Sequence, residues 1–333
     1  MSTSKFSLKT LLAEASYGRF ASELPNRTEI ESALLAEDLS SSQIADLNAK
    51  YAILSHRQNT DRGFSATLFQ EKGSVGNTGL TLAIRGTEPG FLGLGVDVVS
   101  ADLGGIVLEG AALYQIVDLY NYWQQLTAPA TAIGRLARLV ETDDPTASGI
   151  FTQPMPVGIG AAARVVYRRI EFFDQANAGL GIVTGPISNI TVTGHSLGGH
   201  LATAFQRLFP AVVGEVFTVN GAGTRGSEIL NKFFNTLTGQ SNSAFDPTLV
   251  SNLYGSAGPN VISGELVYAQ IGSRGEIYTE SIMDVGGHGY LRKSHHGRHS
   301  WTISSPNWCP LQHLELVPLP KLRNSKHIPV AHA

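Results

Sequence analysis

Cysteine is nearly absent: Cys309 is the only one among 333 residues. That excludes an internal disulfide and removes the usual ligands of a cysteine-based metal centre. Charge is also sparse. Asp, Glu, Lys and Arg together make up 15% of the chain, and the formal net charge is −3 at pH 7. Without a basic excess, nothing points to a nucleic-acid partner. No apolar run reaches the roughly 18 residues that a membrane-spanning helix requires, so no transmembrane segment is expected. The first residues, "MSTSKFSLKTLLAEASYGRF", lack the long apolar stretch and the small-residue cleavage site of a Sec signal peptide. The expected location is the cytoplasm, or outside the cell by a route that uses no Sec signal. What is abundant is glycine, with 36 residues, against a hydrophobic content of 42%. A chain of this length and composition is globular and long enough to bury a full core.

Along the chain, residues 5–56 read as helical, with Leu11, Leu12, Leu34, Leu35, Ile44, Leu47 and Ile53 as apolar stripes. Pro25 and the "LSSSQ" stretch supply breaks and caps. "GFSATLFQ" (63–70) and "GLTLAIRGT" (79–87) predict two strands of a hairpin, the second apolar enough to be central. Residues 111–126 carry apolar side chains at helical spacing. Tyr114, Tyr120, Tyr122 and Trp123 are read there as core packing. Residues 127–162 scatter Pro, Gly and Thr and predict a surface insertion, with a short amphipathic helix over Ala130–Val140. A further helix is predicted over Arg164–Ala178. Strands follow at Ile190–Thr193, within Gly214–Thr224 and within Thr248–Gly258. "ELVYAQIG" and "GEIYTESI" predict a late strand pair. No repeat or low-complexity segment is present. Alternating strands and helices predict an α/β fold with a mostly parallel sheet.

One stretch, "ITVTGHSLGGHLATAFQRLF" (190–209), changes from β-branched to helical character at a serine between glycines. Gly194-His195-Ser196-Leu197-Gly198 is a G-x-S-x-G pattern. In a chain this rich in glycine the bare pattern arises by chance on the order of 0.3 times, so its setting carries the reading. At a sharp strand-to-helix turn the glycines let the backbone close, and the serine hydroxyl is lifted clear of the sheet. The helix that follows points its N–H groups at the same place, where they can hold negative charge.

"VTGHSLGGHLA" resembles the nucleophile elbow of α/β-hydrolases, and in particular that of the class 3 (fungal-type) lipase family in its bacterial lipase-like branch. "LTLAIRGTEPG" resembles that family's strand ending in F-R-G-[ST]. The resemblance implies that Thr87 supplies a hydroxyl and an N–H to an oxyanion hole with the Leu197 N–H. "VVSADLGG" resembles the segment whose aspartate braces that hydroxyl, here Asp102. His195, Gly194 and Gly198 are implied as supporting residues. The resemblance spans roughly residues 63–300. It implies an α/β-hydrolase domain over 61–305 with a lid or cap insertion at about 127–162. An N-terminal helical extension (1–60) would pack on the core, and 306–333 would form a C-terminal tail.

A serine nucleophile needs a base, and the hydrolase chain order is serine, acid, histidine. The candidates after Ser196 are His200, His288, His295, His296, His299, His313, His327 and His332. His200 falls one turn into the elbow helix and faces away from the hydroxyl. Four histidines cluster in "GHGYLRKSHHGRHSW", but no cysteine or acidic ligand set accompanies them, so no metal is expected. His299, followed by Ser300, resembles the His-Ser that carries the base in bacterial class 3 lipase-like proteins; His296 is the second choice. The family's acid follows the strand read here as "LVSNLY", and Asn260 of "GSAGPNVIS" stands in its place. Asp246 precedes that strand, and Glu265, Glu280 and Asp284 lie beyond it. The resemblance implies a serine ester hydrolase, a lipase or carboxylesterase, without a cofactor. Its partner is an ester or lipid substrate, with transient contact to a lipid surface. Phe91, Leu92 and Leu94 would line an acyl-chain wall or a lid. A phospholipase A1-type effector, and a catalytically impaired hydrolase fold acting as a binding module, are the alternatives.

Overall fold

The computed structural model describes residues 3–86, 112–157, 164–224, 226–255 and 269–277. Three helices come first: α1 (Thr3–Ala15), α2 (Arg27–Ala36) and α3 (Ser41–Lys50). The Asn26 side chain caps α2 by accepting the Glu29 N–H at 3.0 Å. Ser40 and Gln43 form a reciprocal capping box on α3, so the "LSSSQ" break starts a helix. The helical reading of residues 5–56 fails at its end. Tyr51–Arg57 is a strand, β1, which sets Ile53 opposite Phe69 of β2 (Ala66–Glu71). β2 turns back antiparallel onto β3 (Leu80–Ile84), with Leu68 opposite Leu82, as a hairpin.

Beyond β3 the sheet becomes parallel. β7 (Ile190–His195) lies against β3, and β8 (Val213–Val219), β9 (Val250–Gly255) and β10 (Ser273–Ile277) follow outward. The order is β1-β2-β3-β7-β8-β9-β10, with parallel pairing at every step from β3 onward. This is an α/β fold with a mixed, mostly parallel sheet, as the alternating pattern predicts. Of the predicted late strand pair, residues 265–268 and 278–282 lie outside the described residues. In the described part, β10 pairs in parallel with β9, and Ala269 bridges to Thr224.

Alternate side chains of the central strands feed two different cores. Leu80, Leu82, Ile84, Ile190, Val192 and Val216 face a large core that also contains residues of α4 (Leu113–Thr127), α5 (Leu197–Leu208) and α6 (Glu228–Thr238). Phe69 and Ala83 face the opposite side, where α1–α3 supply Leu12, Leu34, Ile44 and Leu47 and the segment after α1 supplies Phe20. Further along that side, Ala13 of α1 packs with Phe217, Val219 and Leu253. Helices therefore cover both faces, the arrangement a parallel sheet demands. Tyr122 and Trp123 are buried in the large core, and Trp123 meets Phe205 edge-on at 5.0 Å. Tyr114 stays exposed, under the Arg62 guanidinium. α6, which the sequence reading did not place, is capped by Ser227 and stops at Gly239, whose φ is +70°.

Two predicted helices are strands. Residues 134–142 form β4, and 164–175 form β6. Together with β5 (Met155–Val157) they make a separate antiparallel sheet in the order β4-β6-β5. The short amphipathic helix over Ala130–Val140 and the helix over Arg164–Ala178 are both overturned. The cause is periodicity. Val166 and Ile170, both buried, are four apart, and four is one helical turn and also two full strand repeats. Val165, Val166, Tyr167, Ile170, Phe172 and Phe173 are strand formers. β4 offers partners across the ladder, with Arg138 bonded to Glu171 at 2.5 Å and Arg135 lying over Phe172 at 5.3 Å. The sheet is anchored on α4, where Asn121 exchanges two hydrogen bonds with the Ala137 backbone, each 2.8 Å.

Ile170 links the accessory sheet to the large core. Ile170→Ala is expected to cost about 2–5 kcal/mol. Urea titration would show this as a lower midpoint with an unchanged slope, and a cost under about 0.5 kcal/mol would mean that β6 does not pack on that core.

Candidate active site

Ser196 sits at the turn between β7 and α5 with φ +54° and ψ −120°. Its φ lies in the left-handed region that L-residues rarely enter, and a non-glycine residue held there stores strain on the order of 1–3 kcal/mol. The surrounding hydrogen bonds hold it in place. The Ser196 N–H donates to Val219 O at 3.0 Å, and its carbonyl accepts from Gly199 and Ala222, each at 3.0 Å. The elbow is therefore bonded to its own helix, to β8 and to the loop after β8.

The two motif glycines are where chains meet backbone to backbone. A Cβ on Gly194 would lie 2.4 Å from the Gly198 carbonyl, and one on Gly198 would lie 2.2 Å from Ile84 O. Neither contact involves a flexible side chain, so neither can yield cheaply. Leu197 and Gly198 are the first residues of α5, where helix geometry leaves N–H groups without intrahelical acceptors. Arg85 and Gly86 carry the chain from β3 past this point. A Cβ on Gly86 would come 3.5 Å from the Gly198 nitrogen. The end of β3 thus runs beside the first turn of α5.

The histidines beside the elbow are both engaged. His195 Nδ1 is 3.0 Å from the Tyr17 hydroxyl. His200 donates from Nδ1 to Gly223 O at 3.1 Å, and its Nε2 faces the Ala112 N–H at 3.5 Å. That pattern needs a neutral ring, and burial lowers the His200 pKa to about 4, with the Gly223 bond opposing. His56 is lowered to about 4 as well, by burial first and then by the Arg85 charge. Its Nδ1 lies 2.9 Å from Thr67 Oγ1. Behind His195 lies a polar cluster from the N-terminal region. Burial raises the pKa of both Glu14 and Tyr17. The nearby Glu37 adds to the rise at Glu14, while Arg85 and the Gly86 N–H moderate it at Tyr17.

At the carboxyl ends of β8 and β9, Asn252 Oδ1 accepts from Thr218 Oγ1 at 2.8 Å and from the Gly221 N–H at 3.2 Å. Asn252 also donates to Gln270, which donates in turn to Gly221 O, each at 2.9 Å. This closed network fixes the loop whose Ala222 N–H holds the Ser196 carbonyl. Asp246 caps a short 3-10 turn before β9 and accepts from Thr248. It sits at the amino end of the parallel strands, and Ser196 sits at the carboxyl end of β7.

Ser196, Leu197, His195, Gly194 and Gly198 come together at this turn. Thr87, Asp102, His299 and Asn260 lie outside the described residues, as do His296, Glu265, Glu280, Asp284 and the apolar segment with Phe91, Leu92 and Leu94. Tyr17, Gly86 and the Asn252–Gln270 pair are neighbours of the site that the sequence reading missed. "EASYGRF" matches no catalytic pattern, and only its contact with the G-x-S-x-G histidine marks it. Among the described residues no group of acidic, histidine or cysteine side chains could hold a metal ion. None of the described helices is long and apolar enough to cross a membrane.

No protein-family model matches the sequence, and no curated protein matches it. Solved structures similar to this chain include three lipases. M37 lipase shares 14% identity at a TM-score of 0.33, over 76% of this chain and 68% of that one. Lip2 lipase from Yarrowia lipolytica shares 13% at 0.38, over 84% and 80%. The lipase from Rhizopus microsporus var. chinensis shares 10% at 0.33, over 83% and 76%. Similarity at this level carries no chemistry across, and the site stands on its own geometry.

Two outcomes follow from that geometry. Ser196→Gly relieves the positive φ where Ser196→Ala keeps it, so the glycine variant should be the more stable by about 1 kcal/mol after the entropy of glycine is offset. Equal urea midpoints would mean that the turn is unstrained. Separately, His200 is neutral when folded and takes a proton below about pH 6.5 when unfolded, so its contribution is intact above that pH and is lost as pH falls toward 4. From pH 7 to pH 5 it accounts for about 2 kcal/mol of lost stability. The raised pKa of Glu14 acts in the opposite direction, so the comparison is between proteins. His200→Asn should lose about 2 kcal/mol less than the wild type across that interval. Parallel pH profiles would contradict a buried neutral His200.

Proposed function

We propose that this chain is a serine hydrolase acting on carboxylic esters, an acylglycerol lipase or carboxylesterase, through an acyl-enzyme on Ser196. The observation that carries the reading is the strained Ser196 backbone, φ +54° and ψ −120°, at a strand-to-helix turn. A purely structural turn would relax to glycine. A serine kept there presents its hydroxyl at the N-terminus of α5, where N–H groups converge.

In this reading the Ser196 hydroxyl oxygen attacks the ester carbonyl while its proton passes to a histidine. The carbonyl oxygen becomes an oxyanion, held by the Leu197 N–H and by the Thr87 hydroxyl and N–H, with Asp102 bracing Thr87. The histidine returns the proton to the departing alcohol. Water, deprotonated by the same histidine, then releases the acid and restores the serine. The protein has ten histidines. His56, His195 and His200 hold the partners described above, so the base comes from the seven between His288 and His332. His299 is the assignment, with Asn260 in the orienting position. An amide there orients the ring but stabilises imidazolium less well than a carboxylate.

Ser196→Ala is expected to lower kcat on a p-nitrophenyl acyl ester by a factor on the order of 10⁶, with the thermal transition nearly unchanged. A fluorophosphonate probe should label the wild type and not the variant. A folded wild type that neither turns over esters nor takes up the probe would identify the fold as a binding module. Turnover only of phospholipid at the sn-1 ester would place the same chemistry in the phospholipase A1 class.

A further inference from the structure

The N-terminal helix reaches the elbow through one side chain. Tyr17 follows the end of α1 and is almost completely buried. Its hydroxyl lies 3.0 Å from His195 Nδ1 and packs against the Gly86 backbone, where an added Cβ would come within 2.5 Å of it. These partners belong to different strands. Gly86 immediately precedes Thr87 at the exit of β3, and His195 immediately precedes Ser196 at the exit of β7. A Cβ on Gly86 would meet the Tyr17 hydroxyl and the His195 carbonyl, each at 2.5 Å, so the three groups are packed to contact.

We infer that Tyr17 is a positioning residue: its hydroxyl holds the exit of β3 at Gly86 against the exit of β7 at His195, and so sets where Ser196 and the Leu197 N–H lie relative to the β3 backbone. The inference rests on the hydrolase reading above. β3 and β7 are hydrogen-bonded only as far as Ile84 and Gly194. Beyond that pair β7 turns into α5 while the chain from β3 passes beside it, and the Tyr17 hydroxyl touches both, at Gly86 and at His195. The anchor behind it is firm. Ala13 is packed against Phe217, Val219 and Leu253, and Lys9 pairs with Glu215. Phe20 sits edge-on to His56 at 4.9 Å. α1 before it and Phe20 after it therefore hold Tyr17 against the sheet from both sides along the chain. Tyr17 touches no reacting atom in this scheme. It acts through Gly86 and His195, and the effect of losing it falls on the transition state, in which the donors must meet a developing oxyanion to within about 0.5 Å.

The test is Tyr17→Phe, which deletes only the hydroxyl, assayed on p-nitrophenyl butyrate at a temperature where circular dichroism shows both proteins folded. The expected result is a 10- to 100-fold fall in kcat with KM within twofold, and a matching fall in the rate of fluorophosphonate labelling. His195→Gln removes the same bond from the other side. The double variant should lose no more than about the larger of the two single losses, because one linkage is broken twice. If Tyr17→Phe does not fold, His195→Gln alone must show the fall in kcat at unchanged KM. A folded Tyr17→Phe with wild-type kcat, or one changed in KM alone, overturns the positioning role and leaves the hydrolase reading intact. A wild type that neither hydrolyses the ester nor takes up the probe overturns the hydrolase reading and this inference with it.

Discussion

The structure depends on a place where three stretches of backbone touch with no side chain between them. Gly194, Gly198 and the Ile84 carbonyl converge within distances that a single methyl group would violate. This contact lets β7 turn directly into α5 and packs the first turn of α5 against the exit of β3. It also forces the intervening residue, Ser196, to a positive φ. The loop after β8 leaves the parallel ladder at the same end, and it is tied down by the Asn252–Gln270 network at Gly221 and by the Ala222 bond to Ser196. Strain at one residue persists because everything around it is over-determined.

The second organising element is polar and lies behind the elbow. Glu14, Tyr17, Arg85, His195 and His56 are all largely buried, in a protein whose charge is otherwise sparse. Ionisable groups are seldom placed in such a position unless they are paired. Here they come from both sides: Glu14 and Tyr17 from the N-terminal segment, the rest from β1, the exit of β3 and the end of β7. What begins in the chain as a run of helices ahead of the sheet is physically part of the wall behind Ser196. The accessory β4-β6-β5 sheet is of another kind. It attaches to α4 and the large core through aliphatic packing and the Asn121 bonds, and its outer face carries arginine and carboxylate pairs.

The legible parts of the sequence were those with strong local constraints. The elbow was readable because two glycines, a serine and a change of periodicity fall within a dozen residues. The β2–β3 hairpin and the central strands were readable because their apolar content is continuous. β4 and β6 were not, because buried positions such as Val166 and Ile170 fit both periods, and only a partner strand decides between them. β1 was hidden by the helices before it, and its strand character depends on the ladder with β2. Tyr17 could not be found from pattern at all. Nothing in its neighbourhood marks it, and its meaning lies in a residue 178 positions away.

That separation also bears on the order in which the protein can assemble. α1 precedes the sheet in the chain, yet surfaces it covers, Phe217, Val219 and Leu253, come from far later, and Lys9 waits for Glu215, 206 residues on. During synthesis Leu12 can meet Phe69 and Ala83 early, but the face of α1 with Lys9 and Ala13 has no surface to lie on until β8 and β9 have emerged and paired. A helix of 13 residues is marginal in water by itself. Closing such long loops is slow relative to forming local helices. This face of α1 therefore settles only after strands far later in the chain have paired, and the environment of Ser196 is completed only when it does.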